Sequence, residues 1–283
     1  MAEELNFTRA AERLHISQQA LSTSIRTFER ELGTSLFERN RRQVVLTRAG
    51  ELLVQGGPWL LAVATSLRER VRTADDVGGP VLRVGHTPAV TSEEVFACLR
   101  HTREANPKSS IVVTQYFPQP LVDGLFDGAV DVALSRAGVG LGVPDQLSTV
   151  RLRDQRLRIA VASEHSLAAH QSVNLAELSG ETFVLWAEPG SSAYSDLLLA
   201  ECHRVGFAPR YTVNPVQGTP PVTAVAGTPY LAFVTAPRGP ALSGAVTVID
   251  AEPEIRAPIT ATWISGTTHP LRDALVAEGQ RVV

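Results

Sequence analysis

The sequence has few of the residues that cross-link a protein or anchor it in a membrane. Its two cysteines, Cys98 and Cys202, lie far apart on predicted helices. We therefore expect neither a disulfide framework nor a zinc site, but two reduced, partly buried thiols. No apolar run approaches the roughly 18 residues that span a bilayer, and the segment Met1–Glu4 lacks the basic start of a secretory signal. We expect a soluble, cytoplasmic protein with no membrane partner.

Motifs for catalysis and cofactor binding are missing as well. The sequence has no G-x-S-x-G, Walker loop, H-E-x-x-H or dinucleotide fingerprint. Its seven histidines are scattered, and we interpret His165 and His170 as surface residues. We predict no catalytic residue, no metal site and no cofactor, and we do not expect an enzyme.

The net charge is small, but it is unevenly distributed along the sequence. The 283 residues carry a net charge of −3. Residues 1–72 contain 11 Arg and 8 Asp or Glu, a net +3, so the remainder carries −6. A basic N-terminal module on an acidic body is typical of a local nucleic-acid footprint. The asymmetry is too small to decide the function alone.

Two short helices joined by a tight turn are predicted near the N-terminus. Asn6 or Thr8 can cap a helix that ends near Leu14, and Ser17 can cap the next one, which ends at Gly33. The second helix has an apolar stripe of Leu21, Ile25, Phe28 and Leu32. Its opposite face is polar and can reach bases and phosphates. That face consists of Ser17, Gln18, Gln19, Ser22, Thr23, Arg26 and Arg30. An ordinary amphipathic surface helix is the alternative.

A basic tip follows, between two apolar, strand-like pieces at Leu36–Phe37 and Val44–Leu46. This pattern predicts a β-hairpin wing, which would bring its arginines near backbone phosphates or a minor groove. The arginines are Arg39, Arg41 and Arg42. A solvated charged turn is the alternative.

From Asn6 to Gly50 the sequence resembles the winged helix-turn-helix of LysR-type transcriptional regulators. Four segments in matching order and spacing carry the resemblance: Phe7–Leu14, Ile16–Ser22, Glu31–Arg39 and Leu46–Gly50. The resemblance implies a sequence-specific regulator that binds double-stranded DNA as a homodimer or homotetramer. It also implies control by a small-molecule effector, through the DNA bend or a contact to RNA polymerase.

The sequence departs from the family pattern in three places. Gln19 stands where the family usually has Pro, and Thr23 and Ser24 stand where it often has a basic residue and Gln. We expect an altered sequence preference. The family also has about a dozen further residues before Glu3, which form most of its first helix, so we predict an incomplete first helix. The alternative function is a small-molecule-binding module without effective DNA binding. An enzyme on the same two-subdomain fold is a second rival.

A long helix is predicted from a cap at Thr47 to about Thr73. Its apolar residues recur with a spacing near 3.5, which suits pairing with a second copy. A helix packed on its own chain is the alternative. Gly56–Pro58 should kink or break this helix, and Asp75–Pro80 is interpreted as a hinge.

From Val81 onward, short apolar strands alternate with helices, which indicates a parallel or mixed α/β sheet. The order resembles the periplasmic-binding-protein-like effector domain of the LysR family, which has two subdomains and a cleft. The predicted fold is multi-domain, an α-rich winged helix-turn-helix followed by this α/β effector domain. The predicted parts are residues 1–50 (winged helix-turn-helix), 51–79 (linker or dimerisation helix and hinge) and 80–283 (effector domain). Within the last, subdomain I is about 80–161 and 257–283, and subdomain II about 162–256.

A ligand in such a cleft would lie at the C-terminal ends of strands and at helix N-termini. Hydroxyls at helix starts are more often plain caps than ligand contacts, but their convergence on one cleft would favour binding. Trp186 offers a flat wall, and Arg136 could pair with a carboxylate or stand exposed without a partner. We predict an aromatic or carboxylate-bearing effector bound by Thr87, Pro88, Ser135, Arg136, Trp186, Ser191, Ser192, Gln217, Thr219 and Thr235.

The predicted base and phosphate contacts differ in what their removal changes. Gln18→Ala or Ser22→Ala should relax specificity at one position, where a good base contact discriminates by about 1–3 kcal/mol. The double change of Arg41 and Arg42 to Ala should weaken binding to all sequences and flatten the salt dependence. Gel shifts on a site and its single-base variants measure both. A uniform loss from Gln18→Ala would refute its role in base reading.

Overall fold

A computed structural model of the chain describes residues 1–39, 43–72, 79–138, 146–215 and 221–282. These residues form two compact units, Met1–Leu61 and Ala62–Val283. The helices are α1 (Phe7–Arg13), α2 (Gln18–Leu32), α3 (Arg48–Arg72), α4 (Ser92–Ala105), α5 (Pro118–Phe126), α6 (Ala193–Arg204) and α7 (Pro270–Val282). No helix in the described ranges has the length and apolar character needed to cross a membrane.

The strands are β1 (Phe37–Arg39), β2 (Val44–Leu46), β3 (Val81–His86), β4 (Ser110–Gln115), β5 (Val132–Arg136), β6 (Leu147–Ala162), β7 (Ser172–Asn174), β8 (Thr182–Leu185), β9 (Arg210–Val213), β10 (Ala232–Val234), β11 (Gly239–Ala241) and β12 (Val246–Ile264). A short 3-10 turn covers Pro221–Val225.

The two predicted N-terminal helices are present, with the predicted caps. The Asn6 side chain accepts hydrogen bonds from the amides of Thr8 and Arg9, at 3.0 and 3.1 Å. Ser17 Oγ accepts one from the Ala20 amide at 3.1 Å. These caps satisfy amides that have no partner within a helix. The helix pair packs through a small cluster made of Ala10, Ala11 and Leu21, with Met1, Phe7 and Ile25 against it.

The apolar stripe of α2 is covered only in part. Leu21 is buried, whereas Phe28 and Leu32 are 39% and 47% exposed within the chain. Small residues of α1 reach the first turns of α2 but not its last ones. The C-terminal half of the stripe therefore stays open to solvent.

The predicted hairpin forms by antiparallel pairing of β1 with β2, with Phe37 opposite Leu46. The base of the hairpin is hydrogen-bonded to α2. Glu29 Oε1 accepts hydrogen bonds from the amides of Leu36 and Phe37, at 2.8 and 3.2 Å. The rings of Phe7 and Phe37 meet edge to face with centroids 6.3 Å apart. The tip, Asn40 to Arg42, lies outside the described residues.

Helix α3 begins where predicted, since Thr47 Oγ1 accepts a hydrogen bond from the Gly50 amide at 3.0 Å. Of the kink or break predicted at Gly56–Pro58, the break is wrong, because α3 runs through Pro58 for 25 residues. Proline removes one helical hydrogen bond, and the turns on both sides continue the helix around it. Its exposed apolar side chains are Leu52, Val54, Leu60, Leu61, Leu67 and Val71.

The C-terminal unit is built on a mixed sheet with the strand order β10-β6-β12-β5-β3-β4. β3 pairs in parallel with both β4 and β5, while β12 pairs antiparallel with β5 and with β6. β8 and β9 form a separate parallel pair. The predicted mixed α/β sheet is therefore confirmed.

Two long strands were largely missed by the sequence patterns. β6 has 16 residues and β12 has 19, whereas the sequence predicted only short strands. Arginines at positions 151, 153, 156 and 158 make β6 look like a charged loop. Their charge is compensated locally, because Arg151 pairs with Asp154, and Arg158 Nε lies 2.8 Å from Asp250 Oδ1.

The C-terminal unit has two main hydrophobic cores, which define two lobes. The first core unites β3, β5, α4 and α7, for example Val84, Leu134, Leu99 and Leu275. The second unites β8, α6 and β10, for example Phe183, Leu198 and Phe233. Along β6, Leu152 belongs to the first core and Leu157 to the second. β6 thus passes from the first core to the second between Leu152 and Leu157. The predicted subdomain boundary near residue 161 stays a prediction.

Glycines in α3 give a test of this helix. A Cβ on Gly56 would meet nothing within 4 Å, whereas one on Gly50 would collide with the Leu36 carbonyl oxygen. Gly56→Ala should therefore raise the free energy of unfolding by about 0.5–1 kcal/mol, the usual gain from removing a mid-helix glycine. Gly50→Ala should lower it. Urea denaturation followed by circular dichroism measures both, and a destabilised Gly56→Ala would contradict a regular helix there.

Candidate functional site

The polar face of α2 is exposed where the predicted DNA contacts lie. Gln18, Gln19, Thr23 and Arg26 are exposed, and Ser22 is half-buried. Positions separated by three or four residues lie on one side of a helix, so these side chains form a continuous row. Ser17 is at the start of this row, and its hydroxyl oxygen is used by the helix cap.

The structure describes only part of the wing, the second element of the candidate DNA interface. Arg39 ends β1, so the hairpin carries its backbone to the start of the basic tip. Arg41 and Arg42 lie outside the described residues. Their role in phosphate binding stays a prediction.

The candidate ligand site is a pocket between the two lobes. From the first lobe, β3 and β5 end at its floor, and α5 starts beside it. From the second, the chain after β8 and the N-terminus of α6 form the opposite wall. The pocket encloses about 590 Å³ of space that opens to solvent, and it is lined by Thr87, Pro88, Ala89, Phe117, Pro118, Ser135, Arg136, Gly138, Trp186, Ala187, Ser191, Ser192, Ala193 and Tyr194.

Seven of the ten predicted effector-binding residues line this pocket, so the rule of strand ends and helix starts brings them together. Gln217 and Thr219 lie outside the described residues. Thr235 does not line the pocket, because it follows β10 at the far end of the sheet from β3 and β5. Phe117 and Tyr194 were not predicted, although Phe117 follows β4 and precedes α5, a position that satisfies the same rule.

Arg136 is neither exposed nor free, contrary to both sequence-based readings of it. Its side chain is fully buried, and its Nη2 lies 2.5 Å from Glu94 Oε1. Its Nε donates to the Ala89 carbonyl oxygen at 2.8 Å. The guanidinium also lies 5.7 Å from the ring centroid of Tyr194, on α6. An internal carboxylate therefore occupies the place that a ligand's carboxylate was expected to take.

Glu94 is itself held in place by the start of α4. Its Oε2 accepts a hydrogen bond from the Thr91 amide at 2.9 Å, and its amide donates to Thr91 Oγ1 at 3.3 Å. This reciprocal pair is a capping box. The carboxylate next to Arg136 is thus oriented from both sides.

Most hydroxyls of the pocket serve the protein rather than a ligand. Ser191 Oγ donates to the Glu188 carbonyl oxygen at 2.6 Å, and Ser192 Oγ accepts from the Ser195 amide at 3.3 Å as the cap of α6. Ser135 Oγ lies 3.2 Å from Thr260 Oγ1. Burial raises the pKa of Tyr194 to about 12, so its hydroxyl stays neutral at physiological pH.

Two residues that line the pocket each have a buried nitrogen donor that makes no hydrogen bond within the described structure. Arg136 Nη1 and Trp186 Nε1 have no hydrogen-bond partner among the described residues. An unpaired buried donor is costly, so such groups mark places where an acceptor or a water is expected. In the same ranges, no group of three or more His, Cys, Asp or Glu side chains is arranged to hold a metal ion.

Comparison with known proteins agrees with this architecture. A family model described as "LysR substrate binding domain" matches residues 76–278, and one described as "Bacterial regulatory helix-turn-helix protein, lysR family" matches residues 1–51. The HTH-type transcriptional regulator ShiR of Corynebacterium glutamicum (strain R) is 30% identical over 98% of this chain and 93% of ShiR. The chain belongs to the LysR family.

Further relatives agree with this assignment. The HTH-type transcriptional regulator XapR of Escherichia coli (strain K12) is 30% identical over 74% of this chain and 70% of XapR. The crystal structure of full-length CbnR complexed with its target DNA matches with a TM-score of 0.62 at 22% identity, covering 99% of this chain and 95% of CbnR. At that identity the likeness supports the fold alone, and the predicted fold class is confirmed.

The match to the helix-turn-helix family model argues against one of the alternative functions. Because it covers residues 1–51, which include α1, α2 and the hairpin, the hypothesis of a LysR-like module without an effective DNA-binding domain is not supported. This LysR-family chain is a transcriptional regulator with a helix-turn-helix domain and a substrate-binding domain. The predicted incompleteness of its first helix stays a prediction.

The two cysteines of this LysR-family protein are free and buried. Burial raises the pKa of Cys98 to about 11 and that of Cys202 to about 12. Because the thiolate is the reactive form, both groups are poor nucleophiles at neutral pH. A thiol reagent such as DTNB should therefore label neither in the native protein at pH 7.5 and both in denaturant. Rapid labelling of one native thiol would contradict the buried placement.

Proposed function

We propose that this regulator reads DNA sequence with α2 and is controlled by a small molecule bound between the two lobes of its C-terminal unit. The observation that carries the DNA-binding half is the exposed polar row on α2, next to a hairpin. The observation that carries the second half is the convergence of strand ends and helix starts on one pocket with unpaired donors.

The proposed DNA contacts are of two kinds, contacts to base edges and contacts to backbone phosphates. Gln18 is suited to bond adenine through two atoms, and Ser22 can reach base edges. Gln19, Thr23 and Arg26 extend the same row toward bases and phosphates. The wing arginines, Arg39, Arg41 and Arg42, would bind backbone phosphates and so supply affinity with no sequence preference. Ser17 contributes through the helix cap that orients this row.

Assembly with a second copy is supported by α3. Leu60, Leu61 and Val71 are 60%, 68% and 70% exposed within the chain, which is unusual for large apolar side chains unless a partner covers them. A dimer or tetramer built through this helix would place recognition helices in successive major grooves, about 34 Å apart. A ligand that changes the lobe arrangement would shift those helices, and with them the DNA bend or a contact to RNA polymerase.

An effector with a flat apolar body fits the pocket, because Trp186, Phe117 and Tyr194 supply aromatic surface. The sequence has none of the catalytic motifs considered above, and the relatives named above are regulators. We therefore favour a binding site over an enzyme's active site. Since its target is DNA, we place the protein in the cytoplasm.

DNA binding is tested by a gel shift with the fragment upstream of the protein's own reading frame, against a scrambled fragment of equal length. We expect tighter binding to the genuine fragment, and an affinity that falls with a log–log salt slope of about −0.9 per phosphate contacted. Equal, weak binding to both fragments at every salt concentration would contradict the proposed regulator.

A further inference from the structure

We propose that Glu94 determines which effectors the pocket accepts: by neutralising Arg136, it selects an uncharged aromatic compound with a carbonyl-type acceptor over a carboxylate. This inference rests on the proposed function, because it concerns the ligand of the same pocket. It assigns a role in specificity to a residue that is not itself among the lining residues of the pocket.

The charge of the pocket is the first reason to expect an uncharged ligand. Among its described lining residues, Arg136 is the one side chain with a permanent charge. Glu94 lies 2.5 Å from it, and the side chains are 0% and 10% exposed. The pair is therefore shielded from water and its net charge is close to zero. A ligand carboxylate entering beside it would lose its hydration without meeting an uncompensated cation, which is costly.

The available donors are the second step. Arg136 Nη1 and Trp186 Nε1 are buried and without a partner among the described residues. Both are nitrogen donors, so each can be satisfied by a neutral carbonyl oxygen as well as by a carboxylate. Ala193 and Tyr194, the first residues of α6, line the same wall. The pocket thus offers donors to hydrogen-bond acceptors, but it offers no uncompensated positive charge to an anion.

The walls are the third step. Trp186, Phe117 and Tyr194 provide aromatic surface, and Pro88 and Pro118 provide rigid apolar surface. Flat apolar ligands bury well against such walls. Together with the donors, they define the ligand class: a planar aromatic body with a neutral acceptor, such as an amide, ketone or ester.

Benzamide and benzoate form a matched probe pair, since they share a ring and differ mainly in charge. We expect the wild-type protein to bind benzamide at least as tightly as benzoate in calorimetric titrations at pH 7.5. In Glu94→Gln, Arg136 keeps an acceptor but loses its counter-charge. Benzoate should then bind about tenfold more tightly, the scale of one charge-assisted hydrogen bond, and benzamide should change by less than about threefold.

Glu93→Gln is the matched control, because it removes the same charge from the neighbouring, exposed position of α4. It should behave as the wild type. An unchanged benzoate-to-benzamide ratio in folded Glu94→Gln would overturn the proposal, as would a change of equal size in Glu93→Gln.

The wild-type titrations decide the case if Glu94→Gln fails to fold. Benzoate binding more tightly than benzamide, or binding of neither probe, would overturn the assigned ligand class. Binding of benzamide at least as tight as that of benzoate would support it. The DNA gel shift does not involve the pocket, so failure of the ligand class and failure of the proposed regulator are distinguishable.

Discussion

The antiparallel pairing of β6 with β12 is the constraint on which the C-terminal unit depends. It runs from Leu147 opposite Ile264 to Ala162 opposite Val246, and both strands contribute to both cores. β12 also pairs with β5, which places Arg136 opposite Ile259. The pairing of β12 with β6 and with β5 therefore determines where the pocket lies. The two lobes share these strands, so a rearrangement of one lobe relative to the other must bend or twist them.

Arg136 links this scaffold to both walls of the pocket. It ends β5 in the first lobe, pairs with Glu94 at the start of α4, and faces the ring of Tyr194 on α6 of the second lobe. A buried ion pair contributes little net stability when its desolvation is counted, but removing one partner leaves an uncompensated charge. The pair is thus better suited to defining one arrangement of the pocket, and the charge of what enters it, than to strengthening the fold.

Local patterns predicted the N-terminal unit well, because its signals are local: caps at Asn6, Ser17 and Thr47, and a short hairpin. The rule of strand ends and helix starts also predicted seven of the fourteen residues that line the pocket. The failures have tertiary causes. The arginine-rich part of β6 resembles a loop because Asp250, the partner of Arg156 and Arg158, lies 92 residues from Arg158 in the sequence. Likewise, Glu94 lies 42 residues before Arg136, and no periodicity connects them. The helix also continues through Pro58, which the local rule for proline does not predict.

The central claim is that this LysR-family chain recognises DNA by sequence through a repeated recognition helix. Selection of bound duplexes from a random DNA pool by the purified full-length protein, followed by sequencing, tests it most directly. The account predicts enrichment of an inverted repeat whose half-sites lie about 10 base pairs, or a multiple of that, apart. A pool that stays random after several rounds, while still binding at low salt, would contradict it.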